Sequence, residues 1–330
     1  MHKTYPGNEQ DAKRFKSVPE EIKTRLLALN QDPGKVTLVF DKGNHSKEAF
    51  KAIDDYNFGF IASARNSTQK DLLHIPKEQL QKLSLSITGK TVEYYTESRK
   101  IYGVDRTVYV VLDPKKYELH KLHFIDKLDE KLQKINNFFQ DRLNIKKWRN
   151  KNAVEKKLKS LIGKNPFKEI IQYKIKGNDG NLSFKLEIDE NSKEYHIETL
   201  GRTILFTNRH GWNPESIIWG YREQYIVEHA FRKMKSPTTI MIRPMYHHTD
   251  RSIRVHVYIC ILSLLLLSLL RLTLSRKNFP MNYNEILENL SSIHILKIQT
   301  SLNGKALWKL EDTEKTASKL IKKLNLKSLV

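Results

Sequence analysis

Between residues 35 and 65 the chain reads as strand, helix, strand, and that order restricts the fold more than any other feature. "KVTLVFD" is a short β-rich run ending on Asp41. "KGNHSKEAFKAIDDY" follows with helical periodicity, and Ser46 is placed to cap its helix through Tyr56. "FGFIASAR" is a second apolar run of the buried-strand type. Strands that alternate with helices argue for a parallel or mixed sheet covered by helices, so the expected class is α/β. Upstream, "PEEIKTRLLALN" is helical and "DPG" turns the chain into the first strand.

From about residue 66 to residue 210 the character changes. "TVEYYTES" and "RTVYVVLD" alternate like strands, and "LSFKLEIDE" and "RTILFTN" follow later in the same manner. Between them, residues 115–164 are helical and hold 15 Lys/Arg against 6 Asp/Glu. This stretch reads as a mixed α+β subdomain inserted between two halves of something else. In "NPESIIWGYREQYIVEHAFRKMKSP", Asn213 can cap, Pro214 suits the first helical position, and Ser236-Pro237 closes one continuous helix. The expected divisions are 1–65, 66–210, 211–275 and 276–330, the last a helical tail that includes "NEILENLSSIHILKIQ".

Lys and Arg number 58 against 37 Asp and Glu, a formal charge of +21. Such an excess concentrates polyanions and favours nucleic acid as partner, although a Lys-rich proteome produces the same surface. The single cysteine, Cys260, excludes an internal disulfide and any multi-cysteine zinc site, and it sits in an apolar run as a buried hydrophobe. The first residues lack the apolar core of a signal peptide, so a cytosolic chain is expected. The apolar stretch 257–270 is 14 residues long and is closed by Arg271. A spanning helix needs roughly 20 apolar residues, so a buried core helix and no membrane contact are expected. His247, His248, Asp250 and His256 match no standard metal-ligand spacing, and their segment reads as a basic loop with Arg243 and Arg251 near phosphates.

On one ideal helix Tyr221, Gln224, Glu228 and Lys235 share a face, with Phe231 between them. The plain alternative is a solvated face on which Glu228 pairs with Arg232. Asp41 carries a similar ambiguity. The carboxyl end of a buried strand is where α/β sheets place their ligands, but an Asp before Lys42-Gly43-Asn44 is also a turn-former. Together, Asp41 and Glu228 in a basic protein supply hard oxygen ligands of the kind a two-ion Mg²⁺ phosphoryl-transfer site uses. Such a site usually needs a third carboxylate. Metal ions reverse the local charge logic, so that an acid can belong where phosphates dock.

These residues give the chain a likeness to a family. It resembles the DDE transposases of bacterial and archaeal insertion sequences, in the IS-four superfamily with its Y-x2-R-x3-E-x6-K signature. Tyr221, Glu228 and Lys235 fall on that spacing. "VEHAFRKMKSP" reads like the family's final catalytic helix and "LVFDKGNHSKEAF" like its second-Asp segment, and "GRTILFTN", "IRPMYHH" and the apolar helix keep the family's order. The resemblance implies a ribonuclease-H-like mixed sheet with helices, interrupted by the 66–210 insertion. It implies catalytic metal ligands at Asp41 and Glu228, binding Mg²⁺ or Mn²⁺, and DNA contacts at Tyr221, Gln224, Arg232, Lys235, Arg243 and Arg251. Trp212 would stack on an unpaired base or fill a core or turn position. The chemistry implied is metal-dependent phosphodiester cleavage followed by strand transfer, on double-stranded element ends and target, by a homodimer in a prokaryotic nucleoid. No small-molecule substrate is expected.

The chain departs from the pattern twice. Gln224 stands where the signature has Arg, replacing a bidentate phosphate fork with a neutral amide, and Arg222 stands two positions earlier. The family's first catalytic Asp lies on a strand well before the segment resembled by "HKTYPGNEQD". The expectation is therefore an amino-terminally truncated copy, with its first strands and first Asp missing, that does not cleave element ends by itself; Asp11 is the only early candidate besides residues in the next helix and turn, and its polar loop setting argues against it. Two bound ions would be expected only with that first Asp. The alternative function is a non-catalytic DNA-binding fragment that interferes with a full-length transposase.

Overall fold

The computed structural model describes residues 15, 17–86, 89–299, 307–311 and 314–326; Asp11 lies outside them. The chain forms two compact units, one of Gln10–Arg222 and one holding Glu223–Val330. Neither unit boundary coincides with the divisions expected from composition.

The first unit begins with α1 (Val18–Ala28), β1 (Thr37–Phe40), α2 (Lys47–Asp55) and β2 (Gly59–Ser63). Next come β3 (Gln81–Ser84), β4 (Thr91–Ile101), β5 (Val104–Leu112), α3 (Pro114–Gln140) and α4 (Lys151–Ile162). It ends with α5 (Phe167–Ile170), β6 (Ile171–Lys176), β7 (Ser183–Ile188), α6 (Glu190–Thr199), β8 (Arg202–Thr207) and α7 (Pro214–Arg222). As expected, Ser46 caps α2 by accepting from the Ala49 N–H. Six strands form one mixed sheet in the order β1-β2-β8-β5-β4-β3, and β6 pairs with β7 in a separate hairpin. Only β1 and β2, the pair joined by α2, run parallel; their neighbours are antiparallel. The fold is α/β.

Residues 66–210 are thus divided. Part of the stretch, β3, β4, β5 and β8, extends the sheet begun by β1 and β2, while α3–α6 and the β6–β7 hairpin build their own core around Phe139, Leu128 and Leu158. Strand alternation sorts the sheet's two faces. Phe60, Val108, Val110 and Phe206 point into a core shared with Phe50 and Ile53 of α2. Ile61, Tyr109, Val111 and Leu205 point the other way, against Ile217 and Ile218 of α7.

Residues just after β8 tie it to the parallel pair. The Asn208 carboxamide accepts from the Phe60 N–H at 2.9 Å and donates to the Phe58 carbonyl at 2.8 Å, standing in for a strand residue. Thr207 donates to the Phe60 carbonyl. Arg209 reaches across to Thr37 Oγ1 at 3.1 Å and to the carbonyls of Gly34 and Val36 at 2.7 and 3.0 Å. Its guanidinium lies over Gly59, where an added Cβ would sit 1.9 Å from Nε, so a side chain there would push the guanidinium off its partners. The buried Arg106 of β5 forms a bidentate ion pair with Asp54, fixing the end of α2 to the sheet.

The second unit holds α8 (Gln224–Lys235), α9 (Asp250–Arg276), α10 (Tyr283–Ser291), β9 (Ile295–Ile298), β10 (Leu307–Leu310) and α11 (Lys315–Leu324). Three expectations change here. The helix read as continuous is two, because Glu223 interrupts it between α7 and α8. The tail is not helical throughout, since "ILKI" pairs antiparallel with "LWKL". The apolar helix is not the buried core helix expected: it runs past Arg271 to span 27 residues and buries only Cys260 and Leu274. By length and composition it is the one described helix that could cross a membrane.

Asn208→Ala should leave the buried Phe60 N–H and Phe58 carbonyl without partners and cost about 2–4 kcal/mol, read as a lower urea midpoint at unchanged slope. His45 gives a second test. It is buried among Phe40, Phe50 and Phe206, and its Nε2 has no partner. Burial, with help from the Arg65 charge and against the Asp41 carboxylate, pushes its pKa down to about 4. A depressed histidine pKa favours the folded state above the unfolded value and loses that share as pH falls toward the folded one. The stability of the wild type should therefore drop by up to about 3 kcal/mol between roughly pH 7 and pH 4 through this group. His45→Phe should flatten that part of the profile.

Candidate functional site

The parallel pair of strands sets the site. Phe40 pairs with Ala62, so the residues that follow, Asp41 and Ser63, emerge side by side at the carboxyl ends. That is the edge at which α/β sheets collect ligands. Ser63 Oγ donates to Asp41 Oδ1 at 2.6 Å, and the Lys42 N–H donates to the same oxygen at 2.7 Å.

A third donor arrives from α7. Asn213 caps this helix by accepting from the Ser216 N–H at 2.7 Å. The helix lies close on β2: a Cβ added at Gly220 would sit 3.0 Å from Ile61 Cδ1. At its end Arg222 pairs with Asp113 at 2.9 Å, the residue that also caps α3. Held at both ends, α7 brings the Tyr221 hydroxyl to 3.3 Å from Asp41 Oδ1. Two positions singled out in the sequence, 180 residues apart, therefore meet.

All three donors converge on Oδ1, and among the described residues none is recorded to Oδ2. Burial raises the Asp41 pKa. The hydrogen bonds from Ser63, the Lys42 N–H and Tyr221, with the Lys42 charge, outweigh it and hold the carboxyl below its ordinary value. Asp41 is thus an ionised carboxylate with one committed and one open oxygen.

The second unit carries the remaining candidates. Gln224 opens α8 and Lys235 closes it; Glu228, Arg232 and Lys235 are exposed along it. Among the described residues Glu228 makes no ion pair with Arg232 or any other cation. Arg243 and Arg251 are exposed as well. Trp212, in the first unit, lies in the turn before α7 with the Arg209 guanidinium 5.5 Å from its ring and is 41% exposed, so it is a turn residue and not core. The helical, basic stretch expected at residues 115–164 forms α3 and α4. Their apolar sides fill the second core, and cations such as Lys127, Lys134, Lys156 and Lys159 face solvent.

Mg²⁺ is commonly held by one or two carboxylates plus waters and substrate phosphates. The open oxygen of Asp41 suits one such position. Among the described residues no group of three His, Cys, Asp or Glu side chains is placed to hold a metal ion. Among the described residues the side chains present fit one ligand contribution and not a two-ion cage. Ser63 was not foreseen from sequence. The signal for it lay in the pairing of "TLVFD" with "GFIAS", which requires knowing the register. No protein-family model, curated protein or solved structure matches the chain.

Ser63→Ala removes the shortest side-chain donor to Asp41 and should raise the Asp41 pKa, seen as a shifted carboxyl ¹³C titration. Tyr221→Phe should raise it less, because its contact is longer. Stability owed to this carboxylate is present above its unfolded pKa and lost as pH falls through the folded one, so both variants should be less stable than the wild type near neutral pH and lose less stability on acidification through this group, the loss being complete at a higher pH.

Proposed function

We propose that this chain is a DNA-processing protein of the DDE transposase type, with a ribonuclease-H-like core and Asp41 as one carboxylate of its phosphoryl-transfer centre. The observation that carries the reading is the Tyr221 hydroxyl on Asp41 at the ends of two parallel strands. Two separate segments of the transposase likeness meet there. The +21 charge supports a polyanionic partner, double-stranded DNA.

In this reading Asp41 offers Oδ2 to Mg²⁺ or Mn²⁺, while Ser63, Lys42 and Tyr221 hold the carboxylate ionised and oriented. When bound, such an ion would polarise a phosphodiester and lower the pKa of water. Glu228 is proposed as a second carboxylate. Lys235, Arg232, Gln224, Arg243 and Arg251 are proposed to grip the DNA backbone, and Trp212 to offer an aromatic face to an unpaired base.

A second reading is a DNA-binding protein without cleavage. The +21 charge supports it as well as it supports the first reading.

Both readings predict duplex binding that weakens by on the order of 10³-fold between roughly 50 and 200 mM salt. No retention of duplex at low salt would sink both. Nicking of supercoiled plasmid in Mn²⁺, abolished by Asp41→Asn and by Glu228→Gln, is expected from the first reading. Binding without nicking leaves the second.

A further inference from the structure

Past the end of β2 lies a small cavity of about 150 Å³, and Asp41 does not line it. That is roughly five times the volume of ~30 Å³ that a water takes in the liquid, room for one small tetrahedral ion. His45, Arg65, Gln69, Lys100 and Tyr102 are among its lining residues, and no Asp or Glu is.

Each of the five has a hydrogen-bond donor to spare. Arg65 commits only Nε, in a long 3.4 Å contact to the Lys42 carbonyl. The Gln69 carboxamide oxygen accepts from Arg99 at 2.9 Å, which leaves its amide N–H groups free. Among the described residues neither the Lys100 ammonium nor the Tyr102 hydroxyl has a hydrogen-bond or ion-pair partner. The Tyr102 ring is fixed by stacking on Phe50, with centres 4.8 Å apart. His45 is 8% exposed and its Nε2 has no partner. A neutral imidazole always carries one N–H. A buried polar group left unpaired in this way calls for a water or an ion.

The charges decide between the two. Asp71 and Glu97 are spent on Arg99, at 2.6 and 2.7 Å. Asp105 stands opposite Lys100 in the β4–β5 ladder, yet the two form no ion pair. At the His45 ring, after burial itself, the Arg65 charge outweighs the opposing charge of Asp41. Two uncompensated cations therefore face a cavity rich in donors. An anion suits it better than water, because hydrogen bonds to a charged acceptor are about twice as strong as neutral ones.

We propose that this cavity is an oxyanion site that takes a single phosphate group, with Arg65 and Lys100 supplying charge and Gln69, Tyr102 and His45 supplying neutral hydrogen bonds. The site lies within the first unit and needs neither a metal ion nor the DNA-processing reading. Inorganic phosphate, a phosphomonoester and a nucleic-acid backbone all present the oxygens it would hold.

Equilibrium dialysis of the full chain against radiolabelled orthophosphate, at ionic strength held constant with sodium chloride, tests the site. The wild type should show one saturable site per chain of millimolar or tighter affinity, above the diffuse uptake expected of a +21 chain. Arg65→Gln and Lys100→Gln should each weaken that site by roughly 10-fold, with unchanged circular dichroism. Lys51→Gln removes an exposed charge outside the lining and should leave it intact. Uptake that never saturates, or that falls equally in all three variants, would overturn the proposal. Two competitors then separate the sources, and displacement by either supports the site. Displacement of label by glycerol phosphate but not by a short duplex assigns it to a small phosphorylated molecule, and displacement by the duplex assigns it to a backbone phosphate. None of these readings involves nicking or duplex retention, so failure here is distinguishable from failure of the DNA-processing reading.

Discussion

The tie from "TNR", residues 207–209, to the parallel strands is the interaction on which the first unit depends. A parallel pair of four- and five-residue strands is a weak nucleus by itself. Here β8 returns after a detour through five strands and four helices and closes against β2. Asn208 then completes the ladder with its side chain, and Arg209 secures the start of β1. Closure entropy grows only with the logarithm of loop length, so a long excursion between β2 and β8 is tolerated once these bonds form. The excursion is not idle. It supplies β5, whose Arg106 locks Asp54 and with it the helix between the parallel strands.

The chemistry at the strand ends follows from that frame. Asp41 is kept ionised chiefly by neutral donors on a single oxygen, with the Lys42 charge the smallest contribution. Behind it, His45 is held neutral by burial among aromatic rings and adds no charge to the site near neutral pH. The result is a carboxylate with one oxygen fixed and one open, flanked by a tyrosine on a helix braced at both ends. That combination is unusual for a turn-forming Asp, whose bonds would be local; the contacts to Ser63 and Tyr221 are long-range.

Much of the α/β core was legible in the sequence. Strand, helix and strand stand where the pattern of "KVTLVFD", "SKEAFKAIDDY" and "FGFIASAR" puts them, because buried strands and capped helices leave local marks. The site was legible only in part. Asp41 and Tyr221 could be picked out singly, but Ser63 could not, since its importance comes from a register between strands that no single segment encodes. The break at Glu223 also escaped notice: neither Gly nor Pro occupies residues 221–224, and no local signal separates α7 from α8. The exposure of α9 was not legible for a different reason. Fourteen consecutive apolar residues suit a buried core helix, but whether other elements cover it is decided by packing, which buries only Cys260 and Leu274.

The sequence by itself determined the element types, the caps at Ser46 and Asn213, the basic character of α3 and α4, and the presence of a long apolar helix. Each of these rests on interactions within a few residues of chain or on composition. Tertiary structure alone decided that β3, β4, β5 and β8 join the sheet of β1 and β2, that three donors converge on one oxygen of Asp41, and that α9 buries only Cys260 and Leu274. These depend on pairing and packing between residues far apart in the chain, where many arrangements satisfy the same local pattern and only the mutual fit of the whole selects one.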